Sequence, residues 1–179
     1  MNYTSRCRMF HGEGLGMSQT KRRILIIDDS EAIHTDFRRV LSPRSPSRGK
    51  TLDIMESEIF GDEDRSHELP PAEWEFDMDS AFQGQEALSL VKQAMDAGRP
   101  YDLVFLDYRM PPGWNGLETL RRLREVAPSL PVVFCSAYSD YSWEEILQEF
   151  GRSELLVEMR KPFDTQELRQ RTLATLQSA

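Results

Sequence analysis

Between Pro100 and a turn dense in proline and glycine, the chain runs Tyr101-Asp102-Leu103-Val104-Phe105-Leu106 and then stops at Asp107. A run this short and apolar, bounded by turn residues, reads as a strand buried on both faces, as strands of a parallel sheet are. The pattern recurs along the chain. Ile24–Ile27 ends in Asp28 and Asp29, Pro131–Cys135 ends at Ser136-Ala137, and a weaker run, Leu155–Val157, precedes Lys161-Pro162-Phe163. A fifth segment alternates, with Trp74, Phe76 and Met78 set against Glu75, Asp77 and Asp79, the signature of a half-exposed edge strand.

Helical spacing fills the intervals. Ser30 is a good N-cap for Ile33, Phe37, Val40 and Leu41, a pattern that Pro43 stops. Gln85–Ala97 carries Ala87, Leu88, Val91, Ala94 and Met95 and closes on Gly98 as the residue after the cap. Leu117, Leu120, Leu123 and Val126 follow the Asn115-Gly116 turn, and Trp143, Ile146, Leu147 and Phe150 follow the fourth strand. Asp164 caps a last helix through Leu168, Leu173 and Leu176. Strand and helix alternate throughout, which predicts an α/β fold: a doubly wound, five-stranded parallel sheet with helices on both faces.

The chain's 179 residues, 39% of them hydrophobic, suit one domain with a sizeable core. Residues 1–20 show no periodicity and are expected to be a disordered leader, leaving 21–179 as the domain. At about 42–74 the character changes, from Pro/Ser/Arg-rich to strongly acidic, and the length marks an insertion. Inside it, Leu52, Met55, Ile59 and Phe60 have the spacing of a short amphipathic helix whose simplest role is to cover a sheet edge or core patch. A formal net charge of −8 argues against general binding of nucleic acid or anionic membrane. No run is long enough to span a bilayer, and the amino terminus lacks an apolar secretory segment. Cys7 and Cys135 lie far apart, and Cys135 sits among Val132, Val133 and Phe134 as a buried thiol would in a reduced, cytoplasmic protein.

In a doubly wound sheet the carboxyl ends of the strands converge on one edge. That edge would gather Asp28, Asp29, Asp107, Ser136 and Lys161. Three neighbouring carboxylates repel without a cation, so a hard divalent ion such as Mg²⁺ is expected among them. With a fixed ammonium and a hydroxyl beside them, the set suits phosphoryl transfer, where positioning and charge neutralisation are the work. Asp107 would be the nucleophile, forming an acyl phosphate.

These motifs, in this order and at these strand ends, resemble the receiver domain of two-component response regulators: Asp28-Asp29, Asp107 followed by Met110-Pro111 and Gly116, Ser136-Ala137, and Lys161-Pro162-Phe163. The resemblance runs from about Arg23 to Leu176 and is interrupted by the insertion. It implies a flavodoxin-like strand order of 2-1-3-4-5 and a Lys161-Pro162 cis peptide, which proline makes accessible. It further implies that Asp29 and Asp107 ligate Mg²⁺ directly with the Arg109 backbone carbonyl, that Asp28 acts mainly through water, and that Ser136 and Lys161 bind the phosphoryl oxygens. Such a chain is not an enzyme in its own right but a phosphoacceptor that assists its own phosphorylation and dephosphorylation. Its partners would be a histidine kinase or phosphotransfer protein and a downstream protein, with no direct nucleic acid and no membrane. Switching would act on the face of the fourth and fifth helices, through which a homodimer could also form.

Two other readings stay open: a pseudo-receiver that binds partners without phosphorylation, and a receiver fragment of a hybrid kinase or multidomain regulator. A haloacid-dehalogenase-type phosphatase needs a second acid two residues after its nucleophile, where this chain has Arg109. A nucleotide-binding module needs a glycine-rich loop where Asp28-Asp29-Ser30 stands. Two positions depart from the family pattern. Three residues before Lys161, where receivers commonly carry Tyr or Phe, is Glu158, and the turn Pro111-Pro112-Gly113-Trp114 has an extra residue. The resemblance also puts Arg109 and Tyr138 next to the site, where they are expected to gate the attacking water and so set the dephosphorylation rate. His11, His34 and His67 lack ligand spacing and read as surface or packing residues, and Trp114 and Trp143 as packing or partner-facing ones.

Overall fold

The computed structural model describes residues 21–42, 76–137 and 143–178. The expected leader, the insertion with its short helix, Trp74 and Tyr138 lie outside them. The strands are β1 (Arg22–Ile27), β2 (Phe76–Ala81), β3 (Leu103–Asp107), β4 (Val132–Ser136) and β5 (Leu156–Arg160). They form one all-parallel sheet in the order β2-β1-β3-β4-β5, the doubly wound arrangement expected. The helices are α1 (Glu31–Leu41), α2 (Gly84–Asp96), α3 (Gly116–Val126), α4 (Trp143–Phe150) and α5 (Thr165–Ser178). Among the described residues no helix is long and apolar enough to cross a membrane.

The pleat divides each central strand between two cores. Leu25, Ile27, Val104, Leu106, Val132 and Phe134 point to the side covered by α2, α3 and α4. Ile24, Ile26, Leu103, Phe105, Val133 and Cys135 point to the side of Phe37 in α1 and Leu168 in α5. Continuous apolar runs follow directly, because Ile24–Ile27 of β1 and the residues of β3 and β4 are buried on both faces. At the edge, β2 keeps its alternation: Phe76 and Met78 pack on the α1 and α5 side. Asp79, half-exposed on the outer face, is not left to water alone, however. It accepts from Arg23 Nη2 at 2.6 Å and from the Tyr101 hydroxyl at 2.7 Å, tying β1, β2 and the approach to β3 together.

Three local expectations change. Residues of β5 continue past Val157 to Arg160, because pairing with β4 carries Glu158, Met159 and Arg160 into the sheet despite their polarity. On α5 the buried positions are Leu168, Thr172, Thr175 and Leu176, with Leu173 only half-buried. Thr172 can be buried because its hydroxyl donates to the Leu168 carbonyl at 2.7 Å. On α1 the fully buried stripe is His34, Phe37, Val40 and Leu41, with Ile33 at its margin.

The end of α2 has the anticipated glycine. Gly98 takes φ +66°, its N–H donates to the Met95 carbonyl at 3.0 Å, and the Arg99 N–H donates to Ala94 at 2.9 Å, closing a Schellman motif. A side chain on Gly98 would meet no neighbour, so the cost of adding one is conformational. Gly98→Ala is expected to lose about 1–2 kcal/mol in urea unfolding, and an unchanged midpoint would contradict this account of the cap.

Candidate functional site

β1 and β3 are neighbours, so the residues that end them meet. Asp28 is 4% exposed and Asp107 8%, while Asp29 points outward into solvent. One oxygen from each of the three lies within 4.8 Å of the others. Lys161 follows β5 and reaches across the end of β4, its backbone N–H donating to the Ser136 carbonyl at 2.8 Å. Its Nζ stands 2.8 Å from Asp28 Oδ2 and 2.5 Å from Asp107 Oδ1. The remaining two oxygens take backbone donors: Ser30 N–H to Asp28 Oδ1 at 2.9 Å and Arg109 N–H to Asp107 Oδ2 at 2.8 Å. Ser30 thus occupies the N-cap position of α1 and donates its N–H to Asp28, while its side chain makes no cap bond.

Burial pushes the Asp107 carboxyl above its ordinary range, and the hydrogen bond and charge of Lys161 only partly offset this. For Lys161, burial would favour the neutral amine, but the bonds to Asp107 and Asp28 outweigh it and hold the ammonium more firmly than in water. The pocket therefore carries its own cation. Cys135, on the strand between, has its thiol pushed far up by burial and stays protonated.

Ser136 belongs to the same edge but is turned away from the acids. Its hydroxyl donates to Glu158 Oε1 at 3.1 Å, and that carboxylate also takes Arg160 Nε at 3.0 Å. The pleat explains this: Phe134 pairs with Glu158, so Ser136 and Glu158 share a sheet face. Met159, beside them, is a core residue at 1% exposure.

His34 is a buried packing residue, its ring 4.6 Å from that of Phe82, and it also makes specific hydrogen bonds. It is fully buried, one ring nitrogen 2.8 Å from the Asp28 carbonyl and the other 2.8 Å from Ser80 Oγ, which also accepts from Arg38 at 2.7 Å. The imidazole fixes the Asp28 backbone to β2. Its spacing with Phe37 and Leu41, three and seven residues on, was the signal that could have placed it inward. The longer turn after Asp107 packs on the loop before α2, where Gln83 Nε2 donates to the Pro111 carbonyl at 3.2 Å; both Pro111-Pro112 and Lys161-Pro162 are cis. Gly116 is obligatory at its end, because a Cβ there would fall 2.3 Å from the Asp107 carbonyl oxygen. Arg109 is exposed at the rim. Trp143 packs toward Phe134 at 6.5 Å between ring centroids, and Trp114 lies under Arg122.

Comparison with known proteins decides the family. The family model for the response regulator receiver domain matches residues 71–173, more than half of the chain. The chain belongs to the response regulator receiver family. This receiver is 34% identical over 89 residues to sporulation initiation phosphotransferase F of Bacillus subtilis, a match covering 50% of the chain and 64% of that protein. It is 42% identical over 65 residues to a positive alginate biosynthesis regulatory protein of Pseudomonas aeruginosa, covering 36% of the chain and 24% of the relative. The chain thus spans less than two thirds of either. Among solved structures, the receiver domain of NtrX from Brucella abortus superposes with a TM-score of 0.57 at 20% identity, covering 87% of the chain and 99% of the other. A CheY-like receiver from Methanospirillum hungatei gives 0.58 at 17%, covering 89% and 96%. These likenesses are of fold.

Because folding raises the Asp107 pKa, the folded state favours the protonated carboxyl. The resulting penalty is absent below the ordinary carboxylate range, grows as pH rises from there, and is complete once pH has passed the folded value. In chelator-treated buffer, Asp107→Asn should therefore melt above wild type near pH 7, with the gap closing as pH falls toward about 4. A gap that is reversed, or constant with pH, would contradict the burial argument.

Proposed function

We propose that this receiver accepts a phosphoryl group on Asp107 from a histidine kinase or phosphotransfer protein in the cytoplasm and signals through contacts with a downstream protein. One observation carries the reading: a nucleophile-competent carboxylate, buried at the strand ends, sits within 2.5 Å of an ammonium and beside two further acids. In the transfer, an Asp107 oxygen attacks phosphorus, the phosphorus–nitrogen bond to the donor imidazole breaks, and its electron pair leaves with the imidazole, which takes up a proton. Lys161 follows the charge from the Asp107 carboxylate to the transferred oxygens, keeping its bond to Asp28. The Arg109 N–H holds the other Asp107 oxygen and so orients the attacking one.

The donor set is entirely oxygen, three carboxylates from two adjacent strand ends, which is the chemistry of a hard divalent cation rather than of a soft one. Asp29 and Asp107, with the Arg109 carbonyl and Asp28 through water, would hold Mg²⁺, which when bound neutralises the acids and the phosphoryl oxygens. Exposure of Asp29 suits that role, since a solvent-facing ligand leaves an open side for the donor. Loss of the group is hydrolysis of the acyl phosphate by water, assisted by the same residues, so the chain acts as a self-assisting phosphoacceptor rather than an enzyme with turnover.

Incubation with Mg²⁺ and a small phosphodonor, read by intact mass, is expected to add one phosphoryl group to wild type and none to Asp107→Asn. No addition to wild type would favour a phosphorylation-independent interaction module. Separately, Mg²⁺ at one hundred times its Kd should stabilise wild type by about 2.7 kcal/mol, and Asp29→Asn or Asp107→Asn should lose most of that gain in thermal melts. Equal stabilisation of all three proteins would place the ion elsewhere.

A further inference from the structure

We infer that Glu158 is a positioning residue that holds the Ser136 hydroxyl away from the acid cluster until a phosphoryl group on Asp107 takes it. The inference rests on the reading of Asp107 as phosphoacceptor. A serine hydroxyl has one hydrogen to donate, and here Glu158 Oε1 accepts it at 3.1 Å. A phosphoryl group on Asp107 would bring strong acceptor oxygens to the same strand edge, and the hydroxyl cannot donate to both. Phosphoryl capture by Ser136 therefore breaks a bond already made, and Glu158 opposes the phosphorylated arrangement by the strength of that bond. Its side chain is only 19% exposed, so the bond is not washed out by solvent.

The released carboxylate does not return to bulk water. Glu158 keeps Arg160 Nε at 3.0 Å and lines an open pocket with Trp143, Leu147, Arg152 and Arg171, between α4, β5 and α5. One donor hydrogen thus links the charge on Asp107 to the placement of a carboxylate beside Arg160, at a pocket that Arg152, Arg171 and Glu154 also line. The polar residue standing where the family carries an aromatic ring gives this receiver an electrostatic coupling in place of a ring that swings.

The test is a double-mutant cycle on the binding of beryllofluoride, a tetrahedral phosphoryl mimic, in Mg²⁺ buffer. Glu158→Ala is expected to tighten binding about tenfold, the equivalent of one hydrogen bond to a charged group. In a Ser136→Ala background the same change should give no gain, because no hydroxyl remains to be freed. Glu158→Gln, which keeps an acceptor oxygen without the charge, should fall between and serves where the alanine variant folds poorly. A gain of equal size in both backgrounds would reduce Glu158 to simple charge repulsion and overturn the inference, as would no gain in either. Failure of wild type to bind beryllofluoride at all is a different result: it overturns the reading of Asp107 and this one with it.

Discussion

Two carboxylates cannot share a dry pocket as ions without a counter-charge, and the whole carboxyl edge of this sheet is arranged around that constraint. Asp28 and Asp107 are brought together by β1 and β3, and Lys161 is delivered to both from the far side of β4. The Lys161 backbone is itself held on the Ser136 carbonyl, so the ammonium arrives from a fixed root. Loss of the lysine would leave buried acids facing one another, the costly half of a broken ion pair. Burial keeps the Asp107 carboxyl above its ordinary range even with Lys161 beside it, so its charged form is only partly compensated. A site in that condition is receptive to further positive charge, which is the property that the proposed cation and phosphoryl chemistry require.

Much of this was legible in the residues. The strands β1, β3 and β4 are buried on both faces, so their composition announces them, and the acids that end them are then placed by topology alone. What could not be read are the partnerships between side chains that depend on register. Ser136 turns to Glu158 because the β4 to β5 pairing sets Phe134 against Glu158, and no property of either segment alone reveals that alignment. The buried place of His34 depends on Ser80, 46 residues later, whose hydroxyl satisfies the second ring nitrogen. The extent of β5 was underread because hydrophobicity was asked to mark a strand whose last residues are held by backbone pairing and by the Glu158 to Arg160 ion pair.

The His34, Ser80 and Arg38 contacts also tie α1 to β2, the two elements on either side of a long stretch of chain. Parallel pairing of β1 with β2 demands a crossover, and the entropic cost of closing a longer one grows only slowly with length. Ser80 on β2 meets both His34 and Arg38 on α1, so one hydroxyl joins the two elements that the connection separates.

Rigidity is unevenly distributed around Asp107, and that bears on how any change there can travel. The backbone beneath it has little freedom: Gly116 N–H donates to the Tyr108 carbonyl at 2.8 Å, Tyr108 N–H to Cys135 at 3.0 Å, and no side chain larger than hydrogen fits at Gly116. The α3 amino terminus is locked in turn by Asn115, whose side chain accepts from the Glu118 N–H at 2.9 Å. Close-packed backbone of this kind transmits a new charge poorly, because it has no second arrangement to adopt. Lys161, Ser136 and Glu158 differ, since each is held by hydrogen bonds that can be exchanged for others of similar strength. On the proposal that Asp107 is phosphorylated, a signal arising there would leave by that route, toward β5 and α4, rather than down through β3.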